Sequence, residues 1–455
     1  MTNDMTVGNP TKLIVKFIIP LLIGNIFQQF YSMVDTIIVG RYVGISALGG
    51  IGLTGSINFL ILGFAMGLTS GFAIPIAQSF GANDYKRMRH YVMMSTYLCI
   101  IWSIGITIVS SLSLKPLLIL MKTPEANFQY AYDYMIIILL GMFTNVAYNM
   151  TSGILRSLGD TKTPLLFLII ASALNIILDL VFILNFNMGV SGAAYATVIS
   201  QGTSAILCIL FMAKKFSVLK ITKEDLPYSQ KSANHLTKIG FPMAAQFSVI
   251  AVGSVLLQSS VNKLGDIAVA GYSVSSKVEQ LAIQPFTTLG VAAATYTGQN
   301  FGAGKIDRIK EGIKKTVIIG IIISIICAGI IYFFGNPIIN MFMSEGTDKL
   351  EVIRLSRQYL NWASLFFIPL MLLIVYRSAI QGLGDGVIPM FAGIAELVGR
   401  VSVAMLLAPI LEFLGISIAC PVAWSSAAIL LAPAYFYKIK KAEKTLNQQQ
   451  KGLGS

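Results

Sequence analysis

Twelve apolar runs constrain this chain more than any other feature of its sequence. Each holds about twenty or more residues, the length that an α-helix needs to cross the hydrocarbon core of a membrane. The runs are continuous in aliphatic residues, Gly and Phe, without the strict alternation of β-barrel strands. They occupy residues 15–39, 47–76, 91–113, 131–153, 165–186, 190–212, 240–261, 267–298, 316–335, 358–380, 387–410 and 414–437. With 455 residues there are about 38 for each run and its loop, so we expect no separate soluble domain.

Scarcity of charge supports this interpretation. Only 12% of the residues are Asp, Glu, Lys or Arg, about half the fraction found in soluble domains. A chain that is 55% apolar is not disordered, and it has too few charges to cover the surface of a soluble enzyme. The sequence therefore predicts an all-α polytopic membrane protein with twelve transmembrane helices.

The basic excess of the chain, a net charge of +13, is explained by topology. Nucleic-acid binding would need a basic face on a folded domain, and none is expected here. With the N-terminus in the cytoplasm, 24 Lys and Arg residues fall on the cytoplasmic side and seven on the other, with Arg377 counted inside and Lys122 outside. We predict a multi-pass protein of a bacterial plasma (inner) membrane, with both termini cytoplasmic.

An internal repeat relates the two halves of the chain. Three landmarks recur at an offset of 221–225 residues: the Gln-x-Phe-Gly-Ala motif at 78–82 and 299–303, the prolines Pro20 and Pro242, and the Gly-Asp pairs at 159–160 and 384–385. Six helices in each half give the halves the same orientation, about an axis along the membrane normal. In transporters built this way the substrate path runs between the halves, so the repeat favours a transporter over a membrane enzyme.

The repeat also predicts the domain organisation. We expect an N-terminal lobe over residues 1–213, a basic cytoplasmic linker over 214–238, a C-terminal lobe over 239–438 and a cytoplasmic tail over 439–455. The last residues, 452–455, are expected to be an expression remnant.

Two acids lie deep within apolar runs of the first half. An ionisable side chain inside a transmembrane helix costs roughly 2.5–3.5 kcal/mol on insertion scales, so it is a functional candidate. Asp35 lies late in the first run, one turn after Tyr31. Asp179 lies late in the fifth run, four residues after Asn175 and on the same face. Thr197 lies at a similar depth because the sixth run returns inward, and the five side chains predict an oxygen-rich site for H⁺ or Na⁺.

Several ordered motifs resemble the multidrug and toxic compound extrusion (MATE) family of secondary transporters. The motifs are Asp35-Thr36 followed by Val39-Gly40, the Gln-x-Phe-Gly-Ala repeat, Arg-Ser-Leu-Gly-Asp at 156–160, Asn175-x-x-x-Asp179 and Gly-Ala-Ala-Tyr-Ala-Thr at 192–197. The resemblance spans about residues 12–438. It implies two six-helix lobes around a central cleft and cation-coupled export.

The same resemblance implies roles for individual residues. The cation-coupling site would comprise Asp35, Asn175, Asp179 and Thr197, with Tyr31 nearby. Pro20, within the first helix, is the residue where that helix would bend, although the missing N–H of any proline favours a kink as well.

The repeat makes the coupling site asymmetric. At the repeat offset Asp35 corresponds to Leu256 or Leu257, Asn175 to Arg400 and Asp179 to Ala404, so the acids are absent from the second half. Some MATE members carry an additional acid early in the seventh helix. Here that stretch offers Gln246 instead, so we expect no such second cation site.

Polar residues of several runs are candidates to line a substrate cleft: Gln28, Gln246, Lys277, Glu279, Gln284, Glu396 and Arg400. Glu396 and Arg400 are four residues apart and can neutralise each other on one helix face. Lys277 has two alternatives, joining that pair or meeting an anionic group. Structural pairing and a substrate or gating role both remain open for these charges.

The function predicted from these features is a cation-coupled (H⁺ or Na⁺) antiporter that exports lipophilic, cationic drugs or toxic organic compounds by alternating access. The alternative is a lipid-linked oligosaccharide flippase of the same superfamily. A membrane enzyme is not expected, because there is neither a nucleophile–base pair nor a GxxxxGK[ST] phosphate loop. We expect a monomer in contact with membrane lipids and a small organic substrate, without a cofactor and without a metal other than Na⁺.

Overall fold

A computed structural model of the chain describes residues 4–121, 123–342 and 348–453. Lys122, which entered the charge count, and the last residues of the expected remnant, 454–455, lie outside these ranges. Across the described residues the regular structure is helical and no strand occurs, so the prediction of an all-α chain is confirmed.

The first half of the chain folds into seven α-helices. They are α1 Pro10–Tyr42, α2 Ile45–Gly81, α3 Tyr85–Leu120, α4 Glu125–Leu140, α5 Met142–Ser157, α6 Lys162–Leu180 and α7 Gly189–Lys215. A π-helical turn, Val181–Asn185, follows α6. The stretch between α7 and the next helix contains two short 3₁₀ turns, Ser217–Leu219 and Lys223–Asp225.

The second half repeats this order of helices. They are α8 Gln230–Asn262, α9 Asp266–Gly302, α10 Ile306–Asn340, α11 Lys349–Leu365, α12 Phe367–Gly382, α13 Val387–Leu406, the short α14 Ala408–Leu411 and α15 Phe413–Leu453. The internal repeat is visible in the lengths, because α1 and α8 both have 33 residues and α2 and α9 both have 37. Most of the predicted tail continues α15 as a helix.

Membrane spans can be assigned by length and composition. Nine helices of the described chain are long and apolar enough to cross a membrane, and two bent pairs bring the number to eleven. The pairs are α4 with α5, bent by 51°, and α11 with α12, bent by 52°, at equivalent places in the repeat. The remaining predicted run, 267–298, lies in α9, which contains Lys277 and Glu279 and does not meet the criterion.

The Gly-Asp pairs of the repeat begin equivalent helices. Gly159 and Gly384 have φ values of +81° and +90°, a left-handed conformation that favours glycine. The carboxylates of Asp160 and Asp385 then accept hydrogen bonds from the amides two and three residues later. Each aspartate therefore satisfies amides that the first turn of α6 or α13 leaves without helical partners.

Packing divides the chain into two compact units. Unit 1 comprises residues 1–4 and 19–244, and unit 2 comprises residues 5–18 and 245–455. The division departs from the predicted lobes because the start of α1 packs in unit 2 and the start of α8 packs in unit 1. Both changes of unit occur within two residues of a repeat proline, Pro20 or Pro242.

A close approach of two glycines fixes the start of α8 within unit 1. A Cβ atom on Gly71 of α2 would lie 2.4 Å from the Cα atom of Gly240. A Cβ atom on Gly240 would lie 2.7 Å from a ring carbon of Phe72. Small residues allow membrane helices to pack this closely.

This contact predicts opposite effects for two glycine-to-alanine substitutions in α2. Gly71→Ala should lower the melting temperature in detergent, because overpacking costs about 1–3 kcal/mol. Gly55→Ala is the matched control, since its Cβ position has no described atom within 4 Å other than the neighbouring backbone of its own helix. The control should keep or raise the melting temperature, because alanine favours helix by about 1 kcal/mol. An equal response of the two variants would contradict the packing described.

Candidate functional site

The five side chains predicted to bind a cation lie together in unit 1. Tyr31 and Asp35 belong to α1, Asn175 and Asp179 to α6, and Thr197 to α7. The carboxyl groups of Asp35 and Asp179 lie close enough to interact with each other. Thr197 is hydrogen-bonded to the Tyr31 hydroxyl and accepts from Asn175 Nδ2 at 3.5 Å.

Burial makes this a dry polar cluster. Asn175 and Asp179 have no exposed surface, and the side chains of Tyr31, Asp35 and Thr197 are partly buried. Asp35 Oδ1 is itself buried and accepts no hydrogen bond from the described residues. A buried carboxylate oxygen without a donor is costly, so it favours a proton or a cation.

An apolar cluster surrounds these groups. It contains Ile38, Val39, Ala47, Tyr134, Ile138, Ile183, Val190, Ala193 and Ala194, contributed by four of the helices and the π-helical turn of unit 1. Water is a poor competitor in such surroundings, so interactions among the polar groups are stronger than at a surface.

The chemistry of the cluster follows from the carboxyl pair. A hydrogen bond between two carboxyl groups needs one proton, because an ionised carboxylate can only accept. When that proton leaves, carboxylate, amide, hydroxyl and phenol oxygens remain, which suits a hard cation such as Na⁺. Among the described residues no three His, Cys, Asp or Glu side chains gather as in a transition-metal site.

Two features of the site were missed by sequence reasoning. Tyr134 of α4 is buried and lies within electrostatic range of Asp35, Asp179 and Tyr31. The π-helical turn Val181–Asn185 begins two residues after Asp179, and such turns often occur at functional sites. Tyr134 gave no signal because a tyrosine in an apolar run is usual, and π turns have no sequence signature.

Unit 2 holds a different polar cluster on α12 and α13. Arg400 Nη2 donates to Glu396 Oε1 at 2.8 Å, and Arg377 Nη1 lies 3.8 Å from Glu396 Oε2. The pairing expected between Glu396 and Arg400 is present. The second basic partner is Arg377, which the charge count had assigned to a cytoplasmic loop, whereas Lys277 is exposed.

Glu279 of α9 has a different environment from Glu396. Its Oε2 atom accepts from the Tyr359 hydroxyl at 3.1 Å. Its Oε1 atom is buried and has no hydrogen-bond donor among the described residues. Among the acids of unit 2, Glu279 therefore combines burial with a neutral hydrogen-bond partner.

The amide candidates for a substrate cleft are dispersed. Gln246 is buried in unit 2, where its Oε1 accepts from Gln381 Nε2 at 3.2 Å. Gln284 is half-buried in α9, and Gln28 is exposed in the unit 1 part of α1. The hydrogen bond to Gln381 gives Gln246 a structural role in the packing of unit 2.

Comparison with known proteins adds independent information. The MatE family model matches residues 20–181 and 242–406, two segments that each begin at a repeat proline. The probable multidrug resistance protein YpnP of Bacillus subtilis (strain 168) is 32% identical over 364 residues, which are 80% of this chain and 80% of that protein.

Solved structures share the fold. A MATE protein in the bent conformation is 25% identical, with a TM-score of 0.89 over 98% of this chain and 99% of that chain. An outward-facing multidrug resistance MATE family transporter of the MOP superfamily is 24% identical, with a TM-score of 0.91 over 97% and 98% of the two chains. The predicted fold class, two six-helix lobes, is confirmed by these matches.

The hydrogen bond between Asn175 and Thr197 predicts the effect of two substitutions. Thr197→Val removes one hydrogen-bond partner of a buried amide and should destabilise unit 1 by about 1 kcal/mol, seen as a lower melting temperature in detergent. Thr197→Ser keeps the hydroxyl and should melt near the wild-type temperature. Equal melting of the two variants would show that the hydroxyl contributes nothing to stability.

Glu396 and Glu279 are expected to respond unequally to substitution by glutamine. Glu396→Gln removes the carboxylate that Arg400 and Arg377 share inside unit 2 and should cost about 3–5 kcal/mol. Glu279→Gln should have a small effect, because its amide oxygen can still accept from Tyr359. Thermal melting in the same detergent measures both, and a larger loss for Glu279→Gln would contradict these assignments.

Proposed function

Because this chain belongs to the MatE family, we propose that it is a cation-coupled antiporter that exports lipophilic organic compounds across a bacterial plasma membrane. Relatives named as multidrug resistance or multidrug export proteins support the export of drugs. The single observation that carries the coupling is the buried carboxyl pair of Asp35 and Asp179 on two helices of unit 1.

The coupling cation is H⁺ or Na⁺, taken up by the Asp35–Asp179 pair from outside the cell. Loading lowers the negative charge of the pair by one unit and allows α1, α6 and α7 to pack around it. The loaded and empty states then differ in their affinity for the organic substrate, which is the condition for coupling. Release of the cation inside the cell resets unit 1, and the transporter works by alternating access as a monomer.

The proposed substrates are lipophilic organic cations. Glu279 supports this class, because its buried Oε1 atom has no donor among the described residues and would attract a positive group. Lys277, Gln284 and Gln28 remain candidate contacts for the substrate. No step of this mechanism uses a cofactor or an enzymatic reaction.

A lipid-linked oligosaccharide flippase is the less favoured function. The relatives described above are named for multidrug resistance, and the acids of unit 1 offer a site for a small cation. A flippase would need cationic groups for a phosphate-bearing lipid, whereas Arg377 and Arg400 are already engaged by Glu396.

Gradient-driven efflux from liposomes tests the proposed function. Reconstituted wild-type protein should move a fluorescent lipophilic cation uphill when a pH or a Na⁺ gradient is imposed, and the gradient that works identifies the coupling cation. Asp35→Asn and Asp179→Asn should each reduce this transport at least about tenfold, because an asparagine amide neither takes up nor releases a proton at the pH of the assay.

A matched acid provides the control for these substitutions. Asp133 lies half-buried on α4, where its carboxylate accepts from Gln129 Nε2 at 2.7 Å. Asp133→Asn should therefore transport like the wild type. If both site variants kept gradient-driven efflux, the coupling role of the pair would be wrong. If neither gradient drove wild-type efflux, the antiport function itself would be wrong.

A further inference from the structure

The segment before α1 is bound to unit 2 through its backbone. Met5 N–H donates to Gln299 Oε1 at 2.8 Å, and Met5 O accepts from Asn300 Nδ2 at 3.2 Å. Lys305 Nζ donates to Thr6 O at 2.9 Å. Met5 and Thr6 are buried, with Met5 only 1% exposed, whereas the next two residues are exposed, so the segment Met5–Gly8 is seated in unit 2 by its first half. We call it the strap.

Arg308 completes the hold on the strap. Its Nη2 atom donates to Met5 O at 3.2 Å and to Gly8 O at 3.0 Å, and its Nε donates to Asn300 Oδ1 at 3.1 Å. The arginine thus joins both ends of the strap to the last turn of α9. Gly8 has a φ of +96°, a conformation that favours glycine and allows the chain to turn into α1.

Gln299 and Asn300 are the first two residues of the repeated Gln-x-Phe-Gly-Ala motif. Both side chains have no exposed surface. They are therefore fixed in place by packing and can position the strap without the conformational freedom of surface side chains. Nearly all the groups they and Arg308 engage on the strap are backbone atoms, so the hold depends little on the strap's own side chains.

The strap fastens the helix that carries Asp35. Residues 5–18 pack in unit 2, whereas residues 19–42 of the same helix pack in unit 1 with the carboxyl pair. The change of unit comes just before Pro20, whose missing N–H weakens the helix at that point. One continuous helix therefore has its root in unit 2 and its cation-binding residue in unit 1.

The start of α8 has an equivalent hold within unit 1. The Tyr97 hydroxyl donates to Leu226 O at 3.0 Å, and His90 Nε2 lies 3.1 Å from Ser232 Oγ. In addition, Arg89 Nε donates to Asp225 Oδ2 at 2.9 Å. Both α1 and α8 pass from one unit to the other near a repeat proline. In both cases side chains form hydrogen bonds with the chain close to the start of the helix.

We propose that the strap is an anchor that couples cation binding at Asp35 to unit 2, with Gln299, Asn300 and Arg308 as its positioning residues. This inference rests on the proposed antiport function. Coupling between the cation site and unit 2 needs a structural element whose conformation depends on both. When the root of α1 is fastened, a displacement of α1 at Asp35 acts on unit 2. When the root is free, the first turns of α1 follow the displacement and the link is lost.

Two variants release the strap in different ways. The first is the full chain without residues 1–8, and the second is Arg308→Gln. Arg87→Gln is the matched control, because Arg87 occupies the equivalent repeat position on α3 and contacts Tyr91 instead. Arg308→Lys is the conservative variant and should partly rescue, since an ammonium group can donate to the same carbonyl oxygens.

The experiment compares three readouts in the same liposomes: gradient-driven uphill transport, gradient-independent substrate exchange and substrate affinity. Both release variants should lose uphill transport about tenfold, which is within the usual range of coupling effects, while exchange and affinity stay within about twofold. Arg87→Gln should keep all three. A purely structural role would lower exchange, affinity and uphill transport together, and that outcome would overturn the inference.

Retained uphill transport in both release variants would also overturn it. Parallel measurements on the wild type and Asp35→Asn separate this failure from failure of the antiport function. If the wild type transports uphill, Asp35→Asn does not, and the release variants behave like the wild type, only the anchor is refuted. If the wild type itself shows no gradient-driven transport, the proposed function fails first.

Discussion

Two carboxyl groups within hydrogen-bonding reach of each other in an apolar bundle cannot both be ionised without a counter-charge. Asp35 and Asp179 meet this condition inside unit 1, in a cluster with the amide of Asn175, the hydroxyl of Thr197 and the phenol of Tyr31. Occupancy of the site by a proton or a cation is thus part of the electrostatic balance of the helices around it. In the proposed mechanism the conformation of α1, α6 and α7 depends on that occupancy.

The repeat shows how the same helical scaffold can satisfy its charges differently. At the position of Asn175 the second half has Arg400, whose guanidinium is paired with Glu396 on the same helix. That cluster carries its own counter-charge and needs no ion from solution. Equivalent helices therefore give one unit a pair of acids that we propose responds to an ion, and the other unit a cluster whose acid is already paired with arginines. Glu279 departs from this pattern, because its partner is a neutral phenol.

Sequence alone predicts the helices, the repeat and the polar residues that gather around Asp35 and Asp179, because helix length, periodicity and the cost of buried charge are local properties. Which helices are neighbours is not local. Tyr134 belongs to the site only because α4 packs beside α1. In the same way, Arg377 rather than Lys277 approaches Glu396 because of which helices are neighbours in unit 2. The strap is invisible in the sequence because its bonds use backbone atoms, which every residue has.

The first residues of α1 pack in unit 2, and those of α8 pack in unit 1. This arrangement gives the Gln-x-Phe-Gly-Ala motif a physical role. In the second half its Gln299 and Asn300 side chains hold the root of α1, at the end of a helix that reaches Asp35 about 38 Å further on at 1.5 Å per residue. A helix of that length transmits a displacement only if one end is fixed and bending is confined to a defined point. In the proposed anchor, backbone bonds at Met5 supply the fixed end and Pro20 supplies the point of bending. Motif, proline and acid then form one mechanical element, although in sequence they lie in different halves of the chain.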